Sequence, residues 1–496
     1  MKTKLLKLLP AALAVVLLLI VETVFMLKLK STALLPTKYM ALLGLGLLLL
    51  TALCGFLMVS WKRLWCFIPG ALLTVLVTTL LLMGLNYVQQ GVDTILRVIQ
   101  PDAATSAVDI VVRKDDPAKD IFGAKDYTFG ILEVIDRENS NKAAEKVGEE
   151  LGVQIRVETY ENINVLIGAL LKTKEIDAVI LNDGFWLMLQ DMELEQEIPE
   201  AERLVQTTRV LHVVHVEEQL PPVTEPPVTT APPDEDKLPV FTVYISGSDS
   251  RYGLNYRSNS DVNILAVVNP NTRQVLLIST PRDYYIPLSI SNGAKDKLTH
   301  AGIYGVEVSM DTLSMLYSTS VEYYLKVNFA GFESIVDALG GITVYSEVAF
   351  TAENVRFHKG ENFVNGKEAL IFARERKSFA TGDRQRGENQ MQVIRGAINK
   401  MLSPAILSNF SGVMKSLEKS FAMNVPYELI STLVRDQLEN GGSWEIISYS
   451  VDGSDDEKPT YTHPSDTYVM VPYEADVNQA KALLAAMKRG DRISQP

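Results

Sequence analysis

The hydrophobic pattern divides the chain in two. Three apolar runs, at about residues 8–27, 39–59 and 64–88, fill the first ninety positions. Each approaches or exceeds the ~20 residues that cross a ~30 Å hydrocarbon core as a helix. Further on, the period changes. Strand-like runs at 108–112, 129–134, 154–158, 178–181 and 210–216 alternate with helical spacing at 140–151 and 162–171, which predicts a small α/β layer with a largely parallel sheet. Residues 220–237 offer almost nothing to bury; proline, threonine and acid dominate, so this stretch reads as an extended spacer. Beyond it, 240–246 reads as a buried strand, and 261–268 and 274–280 as two strands joined by the turn Asn269-Pro270-Asn271-Thr272. Runs at 323–327 and 342–345 add strands, while 300–317, 329–339, 366–372, 387–401 and 427–438 carry helical spacing.

The predicted class is α/β. Three transmembrane helices occupy 1–90, an accessory α/β domain 105–217, a Pro/Thr/acidic linker 218–237, and a mixed-sheet α/β domain with helices around its sheet 238–496.

Charge sharpens the division. The chain holds 47 basic and 60 acidic side chains, a net charge of −13. Residues 1–90 contribute eight bases and one acid, Glu22, for +7, which leaves −20 on the remaining 406 residues. So acidic a region lacks the basic face that nucleic-acid binding requires. Lys2, Lys4 and Lys7 favour an inside N-terminus, as Lys62 and Arg63 do an inside second loop, while Lys28, Lys30 and Lys38 pull the other way. The third run is followed by no base before Arg97, which favours export of everything from residue 89 onward. A cleaved signal peptide is the competing reading of the first run, but no small-residue cleavage site follows it and two further runs do. Glu22 is expected near the outer interface, close to Lys28. Both cysteines, Cys54 and Cys66, lie in the membrane region, which excludes a disulfide scaffold or a zinc ribbon.

Polar residues collect where the predicted strands of the last domain end. Asp249 and Arg251 follow the first, Asp261 opens the second, and Pro281-Arg282-Asp283 follows the third, with Lys295, Lys297, Thr299 and His300 soon after. Open α/β sheets bind ligands at such strand ends. Arginines are paired at Arg374 and Arg376 and again at Arg384 and Arg386. Their planar forks match phosphate oxygens, and a helix starting near Asp383 would put Arg386 and Gln390 on one face. The alternative, a solvated loop with Glu375 and Glu388 as partners, has equal weight on spacing alone. Asp249 and Asp261 are candidate ligands for a hard cation, or ordinary turn residues. There is no GxGxxG or P-loop. His300 and His358 have no Cys or His partners at metal spacing. His300 is expected to cap or pack against its helix, and His358 to sit in a surface turn.

Read in order, SDVNILAVVNPNTRQVLLISTPRDYYIPL, KDKLTHAGIYG, NFAGFESIVDALGGITVY and FARERKSFATGDRQRGENQ closely resemble the LytR-CpsA-Psr family of Gram-positive cell-envelope proteins, strongly over residues 240–402. Three spans followed by an accessory domain resemble its CpsA-like branch, associated with capsular polysaccharide. The resemblance implies a membrane-anchored, extracellular phosphotransferase that takes a capsular or teichoic-acid-type glycopolymer from a polyprenyl-pyrophosphate carrier to peptidoglycan. It also implies magnesium, with manganese as the alternative, on Asp249 and Asp261. Arg282 and Asp283 match its PRD motif, and Arg374, Arg376, Arg386 and Gln390, with Arg384 nearby, match its pyrophosphate-binding set. One position departs from the family: Asn259 stands where an arginine is common, so either Arg257 reaches in or that contact is missing. Asp283 is the expected general base. The prenyl chain needs an apolar groove, lined by Ile303, Val306, Met310, Leu313, Met315 and Leu316 unless that helix is ordinary core. Competing readings are a regulator, a non-catalytic holder of the lipid-linked polymer, and a pyrophosphate hydrolase.

Overall fold

The computed structural model describes residues 2–496 apart from 60–63, 100–103, 197, 219–237, 249–252, 255, 380–382 and 402–408. The linker expected at 218–237 thus lies, but for its first residue, outside the described residues. The chain forms two compact units, Met1–Ile99 with Val425–Ser443, and Gln100–Asn424 with Trp444–Pro496.

In the first unit, helices Lys2–Ser31, Thr37–Val59 and Leu64–Ile99 are each long and apolar enough to cross a membrane. Leu18, Cys54, Val77 and Leu81 meet at their centre, while Leu42, Phe56 and Leu72 face outward, the pattern expected when the surrounding solvent is hydrocarbon. Glu22 is buried among the helices and accepts a hydrogen bond from Thr51 Oγ1, since a carboxyl removed from solvent must find a partner within the protein. Helix Tyr427–Asn440 also belongs to this unit. Tyr427 Oη donates to Thr32 O (2.8 Å), Tyr39 Oη to Leu438 O (3.2 Å) and Lys38 Nζ to Glu439 O (3.0 Å). Lys38 and Tyr39, in the first turn of the second long helix, thereby supply donors to carbonyls that the C-terminus of Tyr427–Asn440 leaves open.

Among the described residues the second unit holds two large sheets and four two-stranded ribbons. In the accessory sheet the spatial order is Arg156–Tyr160, Thr128–Leu132, Ala178–Asn182, Ala104–Arg113, Thr208–Glu218. Helix Arg137–Leu151 and the helical segment from Ile163 to Thr173 return the chain between its first three strands, which pair parallel. Ala104–Arg113 is antiparallel to both neighbours, so the expected largely parallel sheet is mixed. Val108, Ile110 and Val112 pack under Ala143 and Val147, and Val111, Val179 and Leu181 under Phe185, Trp186 and Leu189. The latter three belong to helix Asp183–Glu195, an element absent from the sequence analysis.

The main sheet runs Phe421–Met423, Tyr323–Asn328, Phe241–Ser248, Val262–Asn269, Gln274–Thr280, Glu445–Ser450, with parallel and antiparallel pairs as expected of a mixed sheet. Asn269 Oδ1 accepts the Asn271 and Thr272 N–H groups and closes the predicted turn. The expected strand near 342–345 instead pairs with Gly360–Val364 in a separate ribbon. On one face of the main sheet Tyr244, Leu265, Leu276 and Ile278 pack against Leu313, Tyr317, Leu483 and Leu484. The single helix expected at 300–317 breaks at Gly305, whose φ of 129° is a glycine conformation, into Ala301–Tyr304 and Val306–Tyr317. Leu313 lies in the core, with Val306, Met310 and Leu316 packed on it; Ile303 enters the accessory core and Met315 faces out. Apart from Met315, these residues are core.

Candidate functional site

Sheet register brings the polar residues to one edge. Gly247 lies opposite both Val262 and Val327, Asn263 opposite Thr280, and Ser279 opposite Ser450. The carboxyl ends of four strands and the start of Val262–Asn269 therefore meet at that edge, where open sheets place ligands. Asp261, Arg282, Asp283 and Asp452 leave the strands there.

Backbone bonds fix the PRD segment. Arg282 O accepts the Thr299 N–H (2.8 Å) and Asp283 O the Met470 N–H (2.8 Å). Arg282, 12% exposed, donates through Nη1 to Asp261 Oδ1 (2.6 Å) and through Nη2 to Asp191 Oδ2 (3.3 Å), and its Nε stands 3.5 Å from Asp283 Oδ2. Asp283 is 3% exposed, and Lys297 Nζ lies 3.3 Å from its other oxygen. The ribbon pairing Lys295–Lys297 with Tyr285–Pro287 delivers that lysine. Burial opposes ionisation of Asp283, but the charges of Arg282, Lys297 and Arg386 outweigh it and hold the carboxyl down at about 2. A carboxylate so buried and so acidic is a weak proton acceptor at neutral pH. Its geometry suits it to orienting Arg282 and Lys297.

A pocket with about 120 Å³ of free space opens beside this cluster. Asp261, Arg282, Arg384, Arg386, Gln390 and Asp452 are among its lining residues. Helix Asp383–Met401 supplies the second arginine pair and the glutamine. It approaches the sheet closely: a Cβ on Gly387 would stand 3.1 Å from Ser279 Oγ. Arg384 Nε donates to Asp452 Oδ1 and its Nη2 to Gly453 O (2.9 Å). Asn389 Nδ2, buried, donates to Phe372 O (3.0 Å) and ties the helix to the preceding one.

An apolar groove with about 150 Å³ of free space continues from the pocket, and Gln390 lines both. Its wall includes Leu325, Val327, Phe332 and Phe421, and along the same helix Val393, Ile394, Ala397, Ile398 and Met401. Of the two sequence readings of Val306–Tyr317, groove lining or ordinary core, the second describes most of its residues, while this groove lies along Asp383–Met401. Apolar spacing on Val306–Tyr317 and on Asp383–Met401 is alike, and only the fold decides which stripe is covered.

Other expected residues are placed as follows. Asp249 lies outside the described residues. Arg257 does not line the pocket. Its N–H donates to Thr105 O (3.1 Å), and its guanidinium lies against Gly305. There it helps burial push the nearby Lys326 ammonium down to about 8, against Glu307. Arg374 and Arg376 are exposed and do not line the pocket; they directly follow Ala373, which lines the groove. His300 is buried and its Nδ1 lies 2.6 Å from Asp296 Oδ1, whose other oxygen accepts the Thr462 N–H (2.9 Å). His358 is exposed, with its N–H on Asn362 Oδ1. Asp191, Asp452 and the part played by Lys297 were not foreseen.

Among the described residues no three His, Cys, Asp or Glu side chains converge as metal ligands. Asp261, a carboxylate on the pocket wall, fits a magnesium ion that draws its remaining ligands from phosphate and water.

A model of the LytR_cpsA_psr family matches residues 227–482. A Bacillus licheniformis protein named polyisoprenyl-teichoic acid–peptidoglycan teichoic acid transferase TagU is 38% identical over 196 residues, 39% of this chain and 63% of that protein. Its Bacillus subtilis namesake is 37% identical over 194 residues, 39% of this chain and 62% of that protein. The chain thus spans less than two thirds of the length of these relatives. The crystal structure of B. subtilis TagU is 29% identical, covers 52% of this chain and 100% of its own, and superposes with a TM-score of 0.40. That of B. subtilis TagV is 23% identical, covers 51% and 99%, and gives 0.43.

Proposed function

The chain belongs to the LytR-CpsA-Psr family, and from that premise and the shape of the site we propose that it is a membrane-anchored transferase of cell-envelope glycopolymers. The donor is a glycan joined through pyrophosphate to a polyprenyl lipid, and the acceptor a hydroxyl of peptidoglycan. One observation carries the reading: a single helix, Asp383–Met401, presents arginines to a polar pocket at its start and an unbroken apolar stripe to a groove after it. That sequence of surfaces matches an amphiphile whose charged head adjoins a long hydrocarbon tail. A soluble nucleotide or sugar phosphate would leave the groove unused.

In the transfer, an acceptor hydroxyl oxygen forms a bond to the glycan-side phosphorus as the bridging P–O bond breaks; polyprenyl phosphate leaves, and the hydroxyl proton passes to the departing phosphate or to water. Phosphoryl transfer needs positioning and neutralised charge more than covalent help. Arg282, Arg384 and Arg386 supply fixed positive charge, and Gln390 marks the junction of head and tail. Magnesium, held by Asp261 together with Asp249 and the donor phosphates, would screen the phosphate charge further. Asp283 and Lys297 keep Arg282 in place. Arg374, the last residue of helix Gly366–Arg374, and Arg376 just after it follow the groove-lining Ala373 and serve donor capture. The three N-terminal helices are proposed to anchor the enzyme with its remaining domains outside the cell.

The test uses the full purified chain in detergent with a polyprenyl-pyrophosphate-linked glycan, peptidoglycan and magnesium. Polyprenyl phosphate together with a glycan–peptidoglycan adduct is expected. Polyprenyl phosphate alone would identify a hydrolase, and binding without turnover a holding protein.

A further inference from the structure

The accessory domain reaches the pocket. Helix Asp183–Glu195 joins the main domain through its first turns: Phe185 meets Tyr304 edge to face at 5.8 Å, and Ile303, 2% exposed, packs among the accessory core. Gly184 permits this approach, since a Cβ there would lie 3.0 Å from Ile303 Cγ2. A second anchor stands apart from the helix. Asn164 pairs with His463 Nε2 (2.8 Å) and donates to Ser465 Oγ (2.8 Å). Between these fixings, further along the same helix, Asp191 extends a half-exposed carboxylate to Arg282 Nη2.

We propose that Asp191 is a positioning residue of the transfer site, so that the accessory domain completes a centre otherwise built from the main sheet. The proposal rests on reading that centre as a transferase. Three carboxylates from three segments stand at the three nitrogens of one guanidinium: Asp261 at Nη1, Asp283 at Nε and Asp191 at Nη2. Contacts at Nη1 and Nε leave the fork able to pivot about the line that joins them. The third, at Nη2, fixes its plane. A planar donor must present its N–H groups in a defined plane to phosphate oxygens, and an error of about 1 Å in such a group costs on the order of 10²-fold in rate. Asp191 also places negative charge beside the site of a pyrophosphate. Its removal should therefore slow turnover without weakening donor binding in proportion, a split that general loosening of the fold does not produce.

The experiment is a double-mutant cycle on the full chain. Asp191→Asn, Asp191→Glu and Arg282→Gln are made singly, and Asp191→Asn is combined with Arg282→Gln. Folding is checked by thermal melting. Inorganic pyrophosphate affinity is measured for every variant, and transfer kinetics for the single Asp191 variants. Asp191→Asn is expected to lower kcat roughly tenfold or more with donor KM unchanged or lower, and Asp191→Glu to recover a large part of the loss. It should change pyrophosphate affinity differently when Arg282 is present than in the Arg282→Gln background, where only the direct charge of Asp191 remains. Equal changes in both backgrounds, or a kcat within about twofold of the parent, would overturn the proposal. A chain that binds pyrophosphate but transfers no glycan defeats the transferase reading instead, and the affinity cycle then still decides whether Asp191 acts through Arg282.

Discussion

Along helix Asp383–Met401 the first two turns present Arg384, Arg386 and Gln390 to a polar pocket, and the last turns present Val393, Ile394, Ala397, Ile398 and Met401 to an apolar groove. The two ends obey different physics. Charge acts over short distances in a partly buried site and depends steeply on placement, whereas apolar contact grows with area and tolerates imprecise fit. The polar end should therefore govern turnover and the apolar end donor affinity. Joining both on one rigid element fixes the distance between pyrophosphate and prenyl tail.

Substitutions can break that division of labour or sharpen it. The largest effect is expected from Arg282→Ala, which removes the charge shared by Asp261, Asp283 and Asp191. Transfer should fall about 10²–10³-fold, measured as kcat with saturating donor, and the melting temperature should fall as well because Asp283 keeps less compensation. Next, Ala397→Trp fills the groove and should raise KM for a long-chain donor about tenfold or more while kcat holds. A donor with a very short prenyl tail should not notice the change. Equal losses of kcat from both substitutions would mean that the ends are not separable. A smaller effect, several-fold in KM, is expected for Arg374→Ala combined with Arg376→Ala, measured with the same donor.

The weakest effect at working pH concerns Asp283. Its folded-state pKa is lowered, so its stabilisation is fully present above the unfolded carboxyl value of about 4. That contribution is lost as pH falls through the folded value of about 2. Melting temperature should fall across this window, and fall less in Asp283→Asn.

Much of the architecture was legible because burial imposes simple periods. The three apolar runs, the strands at 262–269 and 274–280 and the helix begun near Asp383 all appear where spacing put them. The strand-end residues Asp261, Arg282 and Asp283 could likewise be found by asking which polar groups leave a buried strand. The parts not legible depend on long-range packing. Asp183–Glu195 buries Phe185, Met188, Leu189 and Met192 at the i, i+3, i+4, i+7 spacing of an amphipathic helix, with Trp186 beside them, but Leu187 and Leu194 interrupt its polar face and blur the pattern. Asp191 therefore has no element or strand end in the sequence reading to single it out. Arg257, four residues before Asp261, appeared close to the site in sequence, yet a backbone bond to Thr105 sets it against Gly305. The groove could not be separated from core by spacing, because covered and uncovered apolar stripes have the same period.

The central claim is that the glycan moves together with its own phosphate. A donor carrying radioactive phosphorus in the phosphate next to the glycan tests it directly, using the full chain and peptidoglycan. Label recovered in the peptidoglycan adduct, with unlabelled polyprenyl phosphate released, is the predicted result. Label that stays with the lipid while glycan reaches peptidoglycan would show glycosyl rather than phosphoryl transfer, and would contradict the account.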